Sequence, residues 1–300
     1  MLASLCLVSH AQTTFTSIIP VTGPFPVAHK TFEFSELDIT DRRIEAVFPT
    51  GQGSSRFPLI AYAHGLGDGG AHVMGHYSGS EHPLLETLAS WGYVVLAPRS
   101  CSDGCLLDCR DISPFDPPCF GNYYHQQLKT IDFARSSKAT ELPINTSLIG
   151  IAGHSMGGQA TLFSAAYNAS DYGIKAAVLH HAYTHNFPAI KSIPHLIFTG
   201  TTDTTAPPKM AEDIFNANGA FSTRGLVNKV GQSHDEPGGG DDGAAYNPKL
   251  PLFSIAWLKI FVDETPIWHG YNFSDIIFGH SNESLCNGGD GDMHTCTMLR

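Results

Sequence analysis

The sequence has few basic residues: 17 lysines and arginines stand against 28 aspartates and glutamates, which gives a formal net charge of −11. Binding to nucleic acid phosphates, or to an anionic membrane surface, requires clustered lysine and arginine side chains. The basic residues form no such cluster along this chain. We therefore expect neither nucleic acid nor an anionic membrane surface as a partner.

Long apolar runs and common metal motifs are also missing. No stretch approaches the roughly 18 consecutive apolar residues that a membrane-spanning helix needs, so we expect no span. The 16 histidines and 7 cysteines include no His-Glu-x-x-His helix and no Cys-x-x-Cys pair. The acidic glycine-rich stretches at 241–242 and 287–292 do not match an EF-hand loop, and Ca²⁺ binding there is kept only as an alternative. We predict no metal and no cofactor.

Residues 1–11 form a short apolar stretch that ends in Ser9-His10-Ala11. The pattern is typical of a secretory signal peptide, although the stretch is short and lacks a positive start. Its removal would delete Cys6 and leave six cysteines, an even number that suits three disulfides in an oxidising compartment. Four Asn-x-Ser/Thr sequons agree with export: Asn145, Asn168, Asn272 and Asn282. We expect a secreted or extracellular glycoprotein, or one in the lumen of the secretory pathway.

The six remaining cysteines fall into two groups. Four of them crowd the proline-containing loop 101–119, with spacings that match no common zinc template: Cys101, Cys105, Cys109 and Cys119. We predict two disulfides among these four, with the pairing left open. A third disulfide is predicted between Cys286 and Cys296, within a carboxyl-terminal extension at 265–300.

Continuous apolar strands alternate with helix patterns between residues 12 and 264. This alternation predicts one α/β domain, a doubly wound and mostly parallel sheet with helices on both faces. The predicted strands are 57–63, 93–97, 149–153, 174–179, 193–198 and, as the last strand, 225–230. The predicted helices are 84–91, 122–137, one after Ser155, one from Pro207 and 249–261. Two alternating runs between Lys30 and Thr50 predict antiparallel strands at the edge of the sheet.

The strand at 149–153 runs into Gly153-His154-Ser155-Met156-Gly157, and small and apolar residues follow. This pattern indicates a nucleophile elbow, a tight strand-to-helix turn that exposes Ser155 beside unpaired helix amides. Gly153 and Gly157 are then steric requirements of the turn. A chance glycine-rich pentapeptide is the alternative interpretation.

Two residues downstream can serve the serine. Asp203 follows the strand at 193–198, where a triad acid would lie, although it also suits a turn or the N-cap of the next helix. His234 follows the strand at 225–230 and can reach back over the serine, unless it is an isolated surface histidine. The order Ser155, Asp203, His234 is that of α/β hydrolases.

The strand at 57–63 ends in a glycine-rich loop, His64-Gly65-Leu66-Gly67. A backbone N–H in this loop can help to stabilise the oxyanion, and we assign it to Leu66, with Gly67 as the alternative. An ordinary glycine-rich loop would have the same sequence character.

Together these motifs make the chain similar to α/β hydrolases of the dienelactone-hydrolase-like branch, which includes cutinase-like polyester (PET) hydrolases and chlorophyllases. The resemblance runs from about Pro58 to Glu236 and is carried by residues 64–66, 88–95, 153–158, 202–207 and 231–234. It implies that Ser155 is the nucleophile, His234 the base and Asp203 its orienter. It also implies that the amides of Met156 and Leu66 form the oxyanion hole.

Two features depart from that resemblance. Polyester hydrolases usually place an aromatic residue after the strand that ends near Leu179, whereas this chain has His180-His181-Ala182-Tyr183-Thr184-His185. The cysteine-rich loop is the second departure. Four residues are candidates for the substrate pocket: Gly67, His154, Tyr183 and His185.

The sequence therefore predicts a secreted, monomeric serine ester hydrolase that forms an acyl-enzyme on a neutral or apolar ester, either a small molecule or a polymer. Two other functions fit the same fold: an inactive hydrolase used for binding, and a lipid carrier. The intact triad and elbow argue against both of them.

Overall fold

The structure, a computed structural model, describes residues 19–37, 41–51, 53–66, 83–99, 121–219, 223–239, 247–280, 284–287 and 291–300. Several predictions lie outside the described residues: the signal peptide at 1–11, the cysteine-rich loop 101–119, and the residues Gly67, Asp241, Asp242 and Asn282.

The described residues form eleven strands and six α-helices. The strands are β1 (Val27–Glu33), β2 (Arg43–Pro49), β3 (Phe57–Ala63), β4 (Val94–Pro98), β5 (Ile144–His154), β6 (Ile174–His180), β7 (His195–Gly200), β8 (Arg224–Lys229), β9 (Ile267–Trp268), β10 (Tyr271–Asn272) and β11 (Met293–Leu299). The helices are α1 (Leu84–Ser90), α2 (Gly121–Arg135), α3 (Met156–Tyr172), α4 (Pro208–Ala217), α5 (Lys249–Phe261) and α6 (Phe273–Phe278).

Nine of these strands form one sheet, in the order β1-β2-β4-β3-β5-β6-β7-β8-β11. The central strands from β4 to β8 are parallel, which confirms the predicted α/β fold. β1 and β2 are antiparallel and lie at the edge, as predicted. Because parallel strands all end at one edge, the loops after β3, β5, β6, β7 and β8 meet there.

Helices cover both faces of the sheet, and the central strands supply apolar side chains to each face. In β3, Leu59 belongs to the hydrophobic core under α2, α3 and α4, while its neighbour Ile60 belongs to the core under α1, α5 and α6. This two-sided burial explains why the parallel strands read as continuous apolar runs. None of the helices among the described residues is long and apolar enough to cross a membrane.

The carboxyl-terminal segment completes the sheet, so the prediction that 225–230 is the last strand was wrong. β11 pairs antiparallel with β8, and the backbone N–H of Val230 donates to the Asp292 carbonyl at 2.7 Å. The predicted Cys286–Cys296 disulfide is confirmed. Sequence reasoning missed β11 because this edge strand is only half-buried and therefore lacks a continuous apolar run.

Candidate active site

Ser155 lies in a sharp turn between β5 and α3. Its φ of 57° is positive, which costs free energy for a residue other than glycine. A Cβ on Gly153 would lie 2.2 Å from the Gly157 carbonyl oxygen, and one on Gly157 would lie 2.0 Å from the Ala63 carbonyl oxygen. Both flanking glycines are therefore sterically required, and the first turn of α3 packs directly against the end of β3.

The segment after β6 holds the backbone of this turn. The Ser155 N–H donates to the carbonyl of His180 at 3.0 Å, and the Ser155 carbonyl accepts the N–H of Tyr183, also at 3.0 Å. Hydrogen bonds on both sides of one residue fix its unusual backbone conformation. The serine is held in a rigid position, with 6% of its surface exposed.

Asp203 lies just beyond the carboxyl end of β7 and is buried. Its Oδ1 accepts the backbone N–H groups of Thr205 at 3.0 Å and Ala206 at 2.7 Å, while its Oδ2 lies 3.0 Å from Nδ1 of His234. One oxygen of the aspartate closes a turn, as the alternative interpretation expected, and the other faces the histidine, the position that the predicted triad role requires. Burial raises the pKa of Asp203, but the hydrogen bonds from His181 and His234 outweigh it and hold the pKa well below the usual value.

His234 lies on the loop after β8, beside the elbow. Its carbonyl accepts a hydrogen bond from Nε2 of His154 at 2.8 Å, and the two rings lie 4.8 Å apart. His154 immediately precedes Ser155, so this hydrogen bond holds the His234 loop close to the serine. His154 is itself 2% exposed, so its ring is packed inside the protein, against the loop that it holds.

The two residues assigned to the oxyanion hole lie on adjoining segments. Met156 is the first residue of α3, where backbone N–H groups have no partner within the helix. Leu66 follows β3, with its side chain 51% exposed. The hydroxyl of Tyr123 donates to the His64 carbonyl, and Nδ1 of His64 lies 2.6 Å from the Gly65 carbonyl. These bonds fix the chain leading into Leu66.

Of the other pocket candidates, Tyr183 and His185 lie together. The Tyr183 hydroxyl is 3.3 Å from Nε2 of His185, and the His185 side chain is exposed. Tyr183 also packs on a small apolar cluster that contains Met156 and Tyr123. Tyr183 therefore stands beside the first turn of α3, and His185 lies against Tyr183.

Sequence reasoning missed three residues that support Asp203. His181 Nδ1 lies 2.8 Å from Asp203 Oδ2, and its Nε2 lies 3.0 Å from Glu236 Oε2. Lys229 Nζ binds the other carboxylate oxygen of Glu236. A signal was present, because His181 directly follows a parallel strand at the edge where the triad residues were expected.

The ligand atoms of His181, Asp203 and His234 lie within 4.8 Å of one another, close enough in principle to hold a metal ion. Asp203, however, already has four hydrogen-bond contacts: Oδ1 accepts two backbone N–H groups, and Oδ2 lies within hydrogen-bond distance of both histidine rings. A carboxylate has about four acceptor positions. Hydrogen bonds within the protein therefore satisfy this cluster.

Comparison with known proteins identifies the family and several relatives of this chain. Residues 84–276, well over half of the chain, match the PETase family, described as PET hydrolase-like. A bis(hydroxyethyl) terephthalate hydrolase from Streptomyces coelicolor is 26% identical over 255 residues, which cover 84% of this chain and 72% of that protein. Cutinases est1 and est2 from Thermobifida alba are 26% and 27% identical over 195 residues, covering 63% of this chain and 58% of each cutinase.

The family match spans α1 to the middle of α6 and includes the elbow, Asp203 and His234. The sheet order and the strand-end positions of these residues are those of an α/β hydrolase. The chain therefore belongs to the PET hydrolase-like family of α/β hydrolases.

Proposed function

We propose that this protein is a secreted serine carboxylic ester hydrolase in which Ser155, His234 and Asp203 form the catalytic triad. The observation that carries the proposal is the strained serine, held at the end of β5 beside a histidine that is hydrogen-bonded to a buried aspartate. A protein that only binds ligands has no need of such a serine. Relatives named as hydrolases and cutinases support the same class of reaction.

In the proposed reaction His234 accepts the Ser155 hydroxyl proton as the oxygen attacks the ester carbonyl. The alcohol leaves with that proton, and water then hydrolyses the acyl-enzyme by the same route. The Asp203 carboxylate keeps the proton of neutral His234 on Nδ1, which leaves Nε2 free to act as the base. The amides of Met156 and Leu66 stabilise the tetrahedral oxyanion, and losing one such donor typically costs about 2.7 to 4 kcal/mol.

The proposed substrate is a neutral or apolar ester, either a small molecule or a polymer. The net charge of −11 disfavours anionic substrates. Tyr183, which packs on the cluster that contains Met156, and its neighbour His185 offer flat ring surfaces. We propose that the acyl or aryl group of the substrate packs against these two rings. His154 supports the His234 loop rather than contacting the substrate.

A panel of p-nitrophenyl esters of increasing acyl length tests the proposal. Wild-type protein should release a burst of nitrophenol equal to the enzyme concentration, followed by steady turnover. Ser155→Ala should lose the burst and lower kcat/KM by roughly 10⁴-fold or more. Its melting temperature should stay near that of the wild type, because alanine keeps the backbone and removes only the hydroxyl.

Two outcomes would contradict the proposal. Turnover that persists in Ser155→Ala would assign the chemistry to another residue. Tight binding of the esters without turnover by the wild-type protein would instead favour the inactive binding protein or the lipid carrier.

A further inference from the structure

A second histidine shares the carboxylate of Asp203. His181 is 1% exposed, and its Nδ1 binds the same Oδ2 atom that His234 binds. Its opposite nitrogen faces Glu236, which Lys229 holds from the other side. A buried chain of contacts therefore runs from Lys229 through Glu236, His181 and Asp203 to His234.

The hydrogen-bonding capacity of these groups fixes where the protons lie. The lowered pKa of Asp203 keeps its carboxylate ionised, and an ionised carboxylate can only accept hydrogen bonds, so Nδ1 of His181 must be the donor toward Oδ2. Nε2 of His181 faces a carboxylate oxygen, and that contact requires one proton between them, on the ring or on Glu236. Burial lowers the pKa of His181, although the hydrogen bond to Asp203 opposes this effect. In either form the Nδ1–H points at Asp203.

The backbone at His181 is also unusual. Its φ is 46°, a left-handed conformation that glycine and asparagine adopt at less cost than histidine. Its N–H donates to the Phe198 carbonyl at 3.0 Å, which ties it to β7, the strand that leads to Asp203. A strained residue held by its surroundings is typical of functional sites. Packing alone gives no reason for a histidine here.

We propose that His181 is a positioning residue for the triad: its Nδ1–H holds Asp203 toward His234 and withdraws negative charge from the oxygen that they share. Glu236, fixed by Lys229, holds the orientation of the His181 ring from its opposite nitrogen. This inference rests on the proposed function of Ser155, Asp203 and His234. Its consequence concerns pH, because weaker negative charge on the Asp203 oxygen stabilises the imidazolium of His234 less.

Several titratable or charged groups surround the His181 ring, on the ends of β5, β6 and β8 and on the loops after β7 and β8. They are His154, His180, Lys229, Asp203, His234, Asp235 and Glu236. Among the described residues, the ring has hydrogen bonds to Asp203 and Glu236, and the other groups act on it through space. The test of the positioning role is therefore to remove the hydrogen bond between His181 and Asp203.

Two variants at position 181 distinguish the effect of the N–H donor from the effect of the ring itself. Both His181→Gly and His181→Asn tolerate a positive φ, but only asparagine can place an N–H where the ring carries Nδ1. His195→Asn is the matched control, because His195 is a buried histidine at the opposite end of β7, near the Ile193 carbonyl. The measurements are kcat/KM from about pH 5.5 to about pH 9, the melting temperature, and NMR titration of the His234 ring.

In His181→Gly we expect plateau kcat/KM to fall about 10- to 100-fold. The acid limb of the profile and the titration midpoint of His234 should both move to higher pH. His181→Asn should restore most of both properties. His195→Asn should leave the profile as in the wild type, even if its melting temperature falls.

The first contrary outcome is that His181→Gly changes only the melting temperature and keeps the wild-type pH profile and the wild-type titration of His234. That result would show that His181 is only a packing residue. An asparagine variant as impaired as the glycine variant would exclude the donor role. If the glycine variant does not fold, ¹⁵N shifts of the ring in wild-type protein give the answer, because an unprotonated Nδ1 on His181 overturns the proposal. Should the wild type lack ester turnover, the proposed function fails, while the His234 titration still tests the coupling.

Discussion

At the scale of single residues, two of the four non-glycine residues with positive φ in the described part of the chain lie in the candidate site. Ser155 and His181 both have positive φ, and backbone hydrogen bonds hold each of them: Ser155 to the carbonyl of His180, and His181 to that of Phe198. Strain of this kind costs about 1 to 3 kcal/mol for each residue and persists only where the surroundings enforce it. The packed core on both faces of the sheet supplies the stabilising free energy that offsets this strain.

The glycines of the elbow provide a test of this packing. Gly157→Ala should lower the free energy of unfolding by about 3 kcal/mol or more and remove ester turnover, because its Cβ would lie 2.0 Å from the Ala63 carbonyl oxygen. Gly51→Ala is the control, with φ of 80° but no atom within 4 Å of the new Cβ. It should cost only about 1 kcal/mol and leave turnover intact. Urea denaturation and ester assays measure both effects, and equal losses in the two variants would refute the steric explanation.

At the scale of elements, the site is assembled from the loops after five parallel strands. The β8 loop carries His234 and Glu236, and β8 itself carries Lys229. β11 covers the outer edge of β8, and the Cys286–Cys296 disulfide joins β11 to the chain after α6. The carboxyl-terminal strand therefore braces the strand on which the proposed catalytic base depends.

Removing this disulfide should weaken that brace. In the double variant Cys286→Ser and Cys296→Ser, we expect the free energy of unfolding to fall by about 2 to 3 kcal/mol, the chain-entropy value for a short loop. Guanidinium denaturation with and without a reductant measures the change. The reductant should destabilise the wild type and have less effect on the double variant. Wild-type protein that is insensitive to the reductant would contradict the stabilising role.

At the scale of the whole molecule, two neutral histidines are enclosed in the core. Burial lowers the pKa of His180 to about 3 and that of His195 to about 4. In the unfolded chain both histidines take up protons below about pH 6.5. Between these values the unfolded state binds more protons than the folded state, so the folded state loses stability as the pH falls.

Stability should therefore fall on acidification from about pH 6.5 to about pH 4, by up to about 1.4 kcal/mol per pH unit for each histidine. The lowered pKa of Asp203 contributes stability that is lost only at still lower pH, so the histidines dominate this window. Urea denaturation at several pH values measures the slope. His195→Asn should reduce the slope by about one histidine's share, and an unchanged slope would show that His195 titrates normally.

The sequence by itself determined the fold class, the strands from 57–63 to 225–230, the steric need for Gly153 and Gly157, and the Cys286–Cys296 pairing. These features follow from local chemistry: apolar periodicity, a turn too tight for side chains, and two cysteines close in the chain. The triad assignment followed from strand-end position and chain order, and its roles remain a prediction for the Ser155 experiments.

Only the tertiary structure decided how the two oxygens of Asp203 are used and which residues support it. Lys229 ends β8, and His181 and Glu236 lie on the loops after β6 and β8, up to 55 residues apart, so nothing in their local sequence links them. The same is true of β11, whose half-buried pattern acquires meaning only beside β8. Local patterns record which face of an element is buried, whereas contacts between distant side chains depend on strand order and register, which no single segment specifies.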